Sequence, residues 1–275
     1  MGQNMEQAAA LIPAIDIHSH LGARHAPMKY DAVEDGSNAF LLRTMKAANI
    51  QISVNSSRYA IMPRGSGFSA EGNRQMLAMA HTLPGVYAWV VVDPHEPETF
   101  EQARTMINND RVLGLKIHPE EHEYNLELFG DKIFSLASEL GVPILGHSGA
   151  PGCMPETYAE LAQSFPSVPV IAAHLGCAPD GDPTHQIHAI QSCRTGNLYT
   201  DTSSAMSLMA GLLEYAVGEI GAKHILFGTD SGLYFSPCQR TRVDLANISM
   251  DDKYSILRGG AERLFGDKLP SADAI

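Results

Sequence analysis

The stretch IPAIDIHSHLG, residues 12–22, runs from apolar residues into two histidines one residue apart and then a glycine. It contains the first of eight short apolar runs. AIDIH begins at Ala14, IQISVNS at Ile50, VYAWVVVD at Val86 and VLGLKIH at Val112; VPILGH begins at Val142, VPVIAAH at Val168, NLYTDTS at Asn197 and HILFGTD at His224. The runs are rich in Ile, Val and Leu and are nearly continuous, as strands of a parallel sheet buried on both faces are. Segments with apolar residues at helical spacing alternate with them, at 38–48, 71–81, 97–107, 131–140, 155–165, 184–192, 205–217 and 251–265. Gly141 and Gly266 read as helix stops, and Ser249 with Asp252 as a capping pair.

Strand then helix, eight times, predicts a (β/α)₈ TIM barrel, and the chain length is near the ~250 residues usual for that fold. The competing architecture is an open doubly wound sheet. That fold expects a glycine-rich fingerprint after its first strand, and IHSHLGARH does not supply one. The expectation is therefore a single barrel domain over residues 1–275, with 1–10 and 267–275 as loosely held ends.

Composition narrows the function. The 275 residues carry a net charge of −12 with no basic cluster. This argues against nucleic acid or an anionic membrane as partner and leaves a small-molecule substrate. The four cysteines are scattered without a CxxC pair, and the N-terminal residues lack a basic stretch followed by an apolar core. A reduced, cytoplasmic setting without a signal peptide or membrane span is expected. Dimers are the commonest soluble oligomers, so a homodimer is the assembly to expect if the chain self-associates.

In a barrel the active site sits at the C-terminal ends of the strands. The first run ends in His18-Ser19-His20, the fourth in Lys116-Ile117-His118, the fifth in His147, the sixth in His174 and the eighth in Asp230. Residues at i and i+2 share a strand face, so His18 and His20 point together. Closure of the barrel converges these side chains on one axis. Imidazoles with one carboxylate suit Zn²⁺ or a similar first-row ion such as manganese or iron, with a position left for water. Arg58, just after the second run, is a candidate partner for a substrate carboxylate, and His118 a further substrate-binding candidate.

With these residues in view, the chain resembles the amidohydrolase superfamily, in its amidohydrolase-related branch that also contains zinc-dependent decarboxylases. The resemblance rests on DIHSH, GLKIHP at 114–119, GVPILGHSG at 141–149, VIAAHLG at 170–176, LFGTDS at 226–231 and GGAERLFG at 259–266. It implies a distorted barrel, with His18, His20, His147 and Asp230 as metal ligands. It implies that Asp230 also moves a proton and that His174 either binds a second metal or polarises the substrate. Lys116 matches a lysine that is carboxylated and bridges two metals in binuclear members; other members use one ion. The expected activity is metal-dependent hydrolysis of a small amide, lactone or ester, with His174 and Lys116 stabilising charge on the carbonyl oxygen. The alternative on the same site is non-oxidative decarboxylation. A barrel serving only as a scaffold would show a broken ligand set, and this set is whole.

Overall fold

The computed structural model describes residues 9–26, 37–62, 64–65 and 68–270. The strands are β1 (Ala14–Leu21), β2 (Ile50–Ser57), β3 (Val86–Val91), β4 (Val112–Ile117), β5 (Ile144–Gly146), β6 (Val170–Ala172), β7 (Leu198–Asp201) and β8 (Ile225–Leu226). They form one sheet in chain order, every neighbouring pair parallel. The ladder closes between the last strand and the first: Ile17 N donates to Phe227 O at 2.9 Å, Asp230 N to His18 O at 2.7 Å and His20 N to Ser231 O at 2.8 Å. This is the (β/α)₈ barrel that the alternating runs predict.

The helices are α1 (Asn38–Ala47), α2 (Arg58–Ile61), α3 (Ser69–Thr82), α4 (Glu98–Met106), α5 (Leu126–Leu140), α6 (Pro155–Ser164), α7 (His185–Ser192), α8 (Leu212–Ile220), α9 (Ser236–Asp244), α10 (Met250–Tyr254) and α11 (Gly260–Phe265). None among the described residues is long and apolar enough to cross a membrane. The capping pair Ser249/Asp252 forms in both directions, and Gly141 and Gly266 end their helices at φ 64° and 52°.

Three expectations need correction. The helix read over 205–217 is broken: a 3₁₀ turn at Met206–Leu208 precedes α8, separated from it by Gly211 at φ 83°, a left-handed conformation that no helix continues through. Helix α9 was not anticipated because SPCQRTRVD lacks an apolar stripe. The last helix is interrupted by a π turn at Ser255–Gly259, after which Gly260 lies so close to β8 that an added Cβ would stand 2.7 Å from Leu226. Of the ends expected to be loose, residues 1–8 and 271–275 lie outside the described residues. Ala9 is fully buried, and Lys268 Nζ donates to Ile107 O and Val112 O at 3.2 and 3.3 Å.

Two apolar layers follow from strand alternation. Ile15, Ile17, Ile52, Val54, Trp89, Leu113, Leu145 and Ile171 belong to an inner cluster, which Phe265 of α11 joins, its ring 5.7 Å from Trp89. A second cluster, including Val86, Ala88 and Val90, packs with apolar residues of the surrounding helices. Register shifts at three places: between Ala14 and Ile15, where β2 carries an extra residue, and at two places that turn side chains of β1 and β4 towards the mouth. Asp16 pairs with Ser53 but Ser19 with Asn55, so β1 carries one extra residue there. Ala88 pairs with Val112 but Trp89 with Gly114, so β4 carries another. Each bulge shifts the inward phase by one residue. His20 then pairs with Ser56, on the side of β2 that carries Ile52 and Val54. On β4, Gly114, Lys116 and His118 fall in one phase. Gly114 is required there, because a Cβ would meet Trp89 at 2.6 Å and Pro143 O at 2.5 Å.

Two outcomes follow. Gly114→Ala is expected to cost about 1–3 kcal/mol by overpacking and to lower Tm by about 2–4 °C per kcal/mol, read by calorimetry. On α7, His185 contacts Glu156 Oε1 at 2.7 Å and Asp180 Oδ2 at 2.9 Å, and these carboxylates raise its pKa to about 8. The folded value exceeds the unfolded ~6.5, so the stabilisation is complete below that pH and is lost as pH rises through about 8. Denaturant titration of His185→Gln should show a deficit at pH 6 that vanishes by about pH 9.

Candidate metal centre

The strand ends bring His18, His20, Lys116, His118, His147, His174 and Asp230 to the barrel mouth. Most are buried, with His18 and Lys116 fully so. The mouth holds a cavity of about 190 Å³, lined by His20, His118, His147, His174 and Asp230 together with Glu120, Glu121, Cys177, Ser204, Met62, Leu233 and Tyr234. Arg58 begins α2, is buried, and is not among those lining residues. His118 stacks on His147 with ring centroids 4.1 Å apart.

Two site residues are among the four described non-glycine residues with left-handed backbone, the others being Asn49 and Glu123. His174 has φ 72° and Asp230 φ 52°. Each left-handed residue costs about 1–3 kcal/mol and persists only where its surroundings over-determine it. Here His174 N donates to Asp201 Oδ1 at 3.0 Å and Asp230 N to His18 O. At both points the chain turns out of a short strand so that the side chain stays over the barrel axis.

Hydrogen bonds fix where the imidazole lone pairs point. His18 Nδ1 donates to Asp201 Oδ2 at 2.7 Å, both groups fully buried, and its Nε2 accepts from Lys116 Nζ at 2.8 Å. A cation held by that Nε2 competes with Lys116 for the same lone pair. His20 Nδ1 meets Ser56 Oγ at 2.9 Å, and its Nε2 lies 2.9 Å from Asp230 Oδ1. That contact is short, yet Asp230 Oδ1 is buried with no hydrogen bond of regular geometry. Ligand atoms of His18, His20 and Asp230 lie within 4.8 Å of one another. Two imidazole nitrogens and an orphaned carboxylate oxygen fit a divalent cation.

A second pair faces across the mouth. Ser203 Oγ donates to Asp201 Oδ1, which leaves it to accept from His174 Nδ1 at 2.8 Å. His147 Nε2 lies 3.1 Å from Glu120 Oε2, a carboxylate that can only accept. The remaining nitrogens, His147 Nδ1 and His174 Nε2, are 3.0 Å apart. With both outer nitrogens donating, two lone pairs face each other, an arrangement that a shared proton or a cation relieves. Ligand atoms of His18, His174 and Asp201 form a second such group among the described residues, and His147 belongs to neither.

Burial sets the charge states. It pushes His20 down to about 4 and holds His118 and His174 well below the ordinary imidazole value, so these rings are neutral at pH 7. Burial likewise brings Lys116 down to about 8. For Asp230 and Asp201 burial acts upward, but His20 beside the first and His18 beside the second outweigh it and keep both below the usual carboxylate range.

Asp201, Ser203, Ser56 and Glu120 were not among the sequence candidates. Asp201 ends β7 within the seventh run, NLYTDTS, whose last residue is Ser203, and Ser56 is the last residue of the second run, IQISVNS; the rule that selected the other strand ends would have reached all three. Glu120 carries no such signal, since it is defined only by what faces it across the mouth.

A family model described as amidohydrolase matches residues 15–266. The fold is similar to that of 2,6-dihydroxybenzoate decarboxylase solved in complex with 2,6-dihydroxybenzoate, at 16% identity and TM-score 0.70, covering 93% of this chain and 99% of that one. It is also similar to 5-carboxyvanillate decarboxylase from Sphingomonas paucimobilis, at 14% identity and TM-score 0.70, covering 92% and 99%. A third is a dihydroxybenzoic acid decarboxylase from Polaromonas sp. JS666, solved with bound manganese and the inhibitor 2-nitroresorcinol, at 15% identity and TM-score 0.66, covering 93% and 97%. No curated protein sequence matches the chain.

The carboxylate behind His18 orients that ring, as outer partners of metal-binding histidines do. Asp201→Asn is therefore expected to weaken binding of a divalent ion by about 10–100-fold, measured by calorimetric titration of Mn²⁺ or Zn²⁺ into metal-stripped protein.

Proposed function

The chain belongs to the amidohydrolase family, and on that premise we propose that it is a metal-dependent, non-oxidative decarboxylase of a small carboxylic acid. The carrying observation is the buried group of His18, His20 and Asp230 at a cavity large enough for only a small substrate. These three residues would hold one divalent ion: the two imidazoles suit zinc, and the carboxylate also admits manganese. When bound, such an ion supplies a Lewis acid for a carboxylate or carbonyl oxygen. The decarboxylase names of the three similar structures, one of them with manganese, support this reading over hydrolysis.

The chain's own groups supply the rest. Lys116, fully buried against His18 and outside the cavity lining, would contribute positive charge to the field felt by the substrate carboxylate rather than touch it. As the bond to CO₂ breaks, its electron pair remains on the substrate carbon. Asp230, ionised at rest, relays one proton from solvent to that carbon, so that the substrate carboxylate and one proton become CO₂ and a product with a C–H bond in place of the carboxylate. His174, neutral and buried, lines the cavity beside His18.

One observation favours the second reading, hydrolysis of an amide, lactone or ester. His147 Nδ1 and His174 Nε2 face each other as a second cation position, for which a carboxylated Lys116 would be the bridging ligand.

Metal content by plasma mass spectrometry, followed by assays on hydroxybenzoic acids and on lactones, separates the readings. The expected outcome is one ion per chain, lost in His18→Ala, and CO₂ released mole for mole with acid consumed. Asp230→Asn should lower kcat by about 10²–10⁴-fold. Two ions per chain, with lactone or amide cleavage and no CO₂, would establish the hydrolase instead. Absence of metal after incubation with each candidate ion would sink both.

A further inference from the structure

Glu120 follows β4 in the sequence IHPEEHEY and lies outside the residues that the ligand pattern selects. Its carboxylate is fixed on both sides. Oε2 lies 3.1 Å from His147 Nε2, and Oε1 accepts from Arg64 Nη2 at 2.6 Å. The loop that carries it is pinned as well. Glu121 N donates to His118 Nδ1 at 3.3 Å, His122 N donates to His118 O at 3.0 Å, and His122 Nε2 reaches Ala60 O at 3.0 Å. Glu120 therefore meets His147 from a constrained backbone, at the edge of the cavity that both residues line.

A neutral imidazole has two tautomers of similar energy, and the hydrogen bond at one nitrogen decides which lone pair is presented at the other. An ionised carboxylate acceptor biases that choice by about tenfold or more. The ion pair with Arg64 keeps the Glu120 carboxylate in place beside His147.

From this geometry we infer that Glu120 is the positioning residue of His147: it holds the proton on Nε2 so that the Nδ1 lone pair is presented to His174 and to any cation bound beside it. His18 is served in the same way by Asp201, but with the opposite nitrogen outermost. One buried carboxylate thus orients the first-strand ring, and a half-exposed one at the rim orients the fifth-strand ring. The consequence for metal affinity rests on the proposed function; the tautomer assignment does not.

The test is the ¹⁵N spectrum of histidine-labelled, metal-free protein, with His147 assigned by its loss in His147→Gln. Wild type should show Nε2 protonated and Nδ1 bare. Glu120→Gln, whose amide oxygen still accepts, should retain most of that tautomer, whereas Glu120→Ala should bring the two forms towards equal populations. Wild type with Nδ1 protonated, or a Glu120→Ala spectrum identical to wild type, would overturn the inference. Titration of Zn²⁺ or Mn²⁺ gives the second readout: Glu120→Ala should bind about 10–100-fold more weakly than wild type, with Glu120→Gln between them. If the tautomer shifts as expected but no ion binds any variant, the role of Glu120 stands and the metal reading of the site falls.

Discussion

The seam between the first and last strands governs this molecule. Strand β8 is only two residues long, too short for a ladder of its own to close the barrel. A single buried carboxylate takes over much of that task. Asp16 accepts from Thr229 N and Thr229 Oγ1 at 3.1 and 2.6 Å, and from His18 N and Ser19 Oγ at 3.1 and 2.6 Å. Burial raises its pKa to about 7, against the pull of these four donors. The seam therefore joins the residues flanking His18 to the residue preceding Asp230. Closing the barrel and assembling the ligand group are one event, since the same carboxylate organises both strand ends.

The bulges of β1 and β4 work with that seam. A barrel interior filled by Ile15, Ile17, Ile52 and Trp89 needs strict alternation below the mouth, while the site needs His20, Lys116 and His118 turned to the axis above it. One extra residue in β1 and one in β4 reconcile these demands. The width of Trp89 is matched by the absence of a side chain at Gly114, and Trp89 Nε1 is satisfied by Ile17 O at 2.8 Å, at the bulge in β1. Packing in the interior and orientation at the mouth thus depend on the same few residues.

Above the bulges the mouth is a dense polar network in a setting where unpartnered groups are costly. Short polar contacts run from Glu120 through His147, His174, Ser203, Asp201 and His18 to Lys116. Most members have an assigned donor or acceptor role. The exceptions are the lone pairs between His147 and His174, and the Asp230 oxygen beside His20. Those are the places where a cation improves the balance of donors and acceptors. Strain at His174 and Asp230 falls at the same two places, as expected where backbone conformation is set by the site rather than by local preference.

Local order was legible in the sequence. Eight apolar runs, each followed by a helical segment, determine the barrel, because buried parallel strands and amphipathic helices have distinct periods that survive without knowledge of contacts. The same regularity put His18, His20, His147, His174 and Asp230 at strand ends, and the chain order of motifs identified the family. What depends on a facing group could not be read that way. The phase of His20 is set by a bulge, and the break before α8 by a single glycine in a left-handed conformation. Arg58 is adjacent to β2 in sequence but does not line the cavity, because α2 starts at that residue and it is Met62, after the helix, that reaches the cavity wall. Asp201, Ser203 and Glu120 acquire their roles only when closure brings them against His18, His174 and His147. Sequence fixes which side chains stand at the ends of strands; only the closed barrel decides which lone pair each of them offers, because that depends on a hydrogen-bond partner far away along the chain.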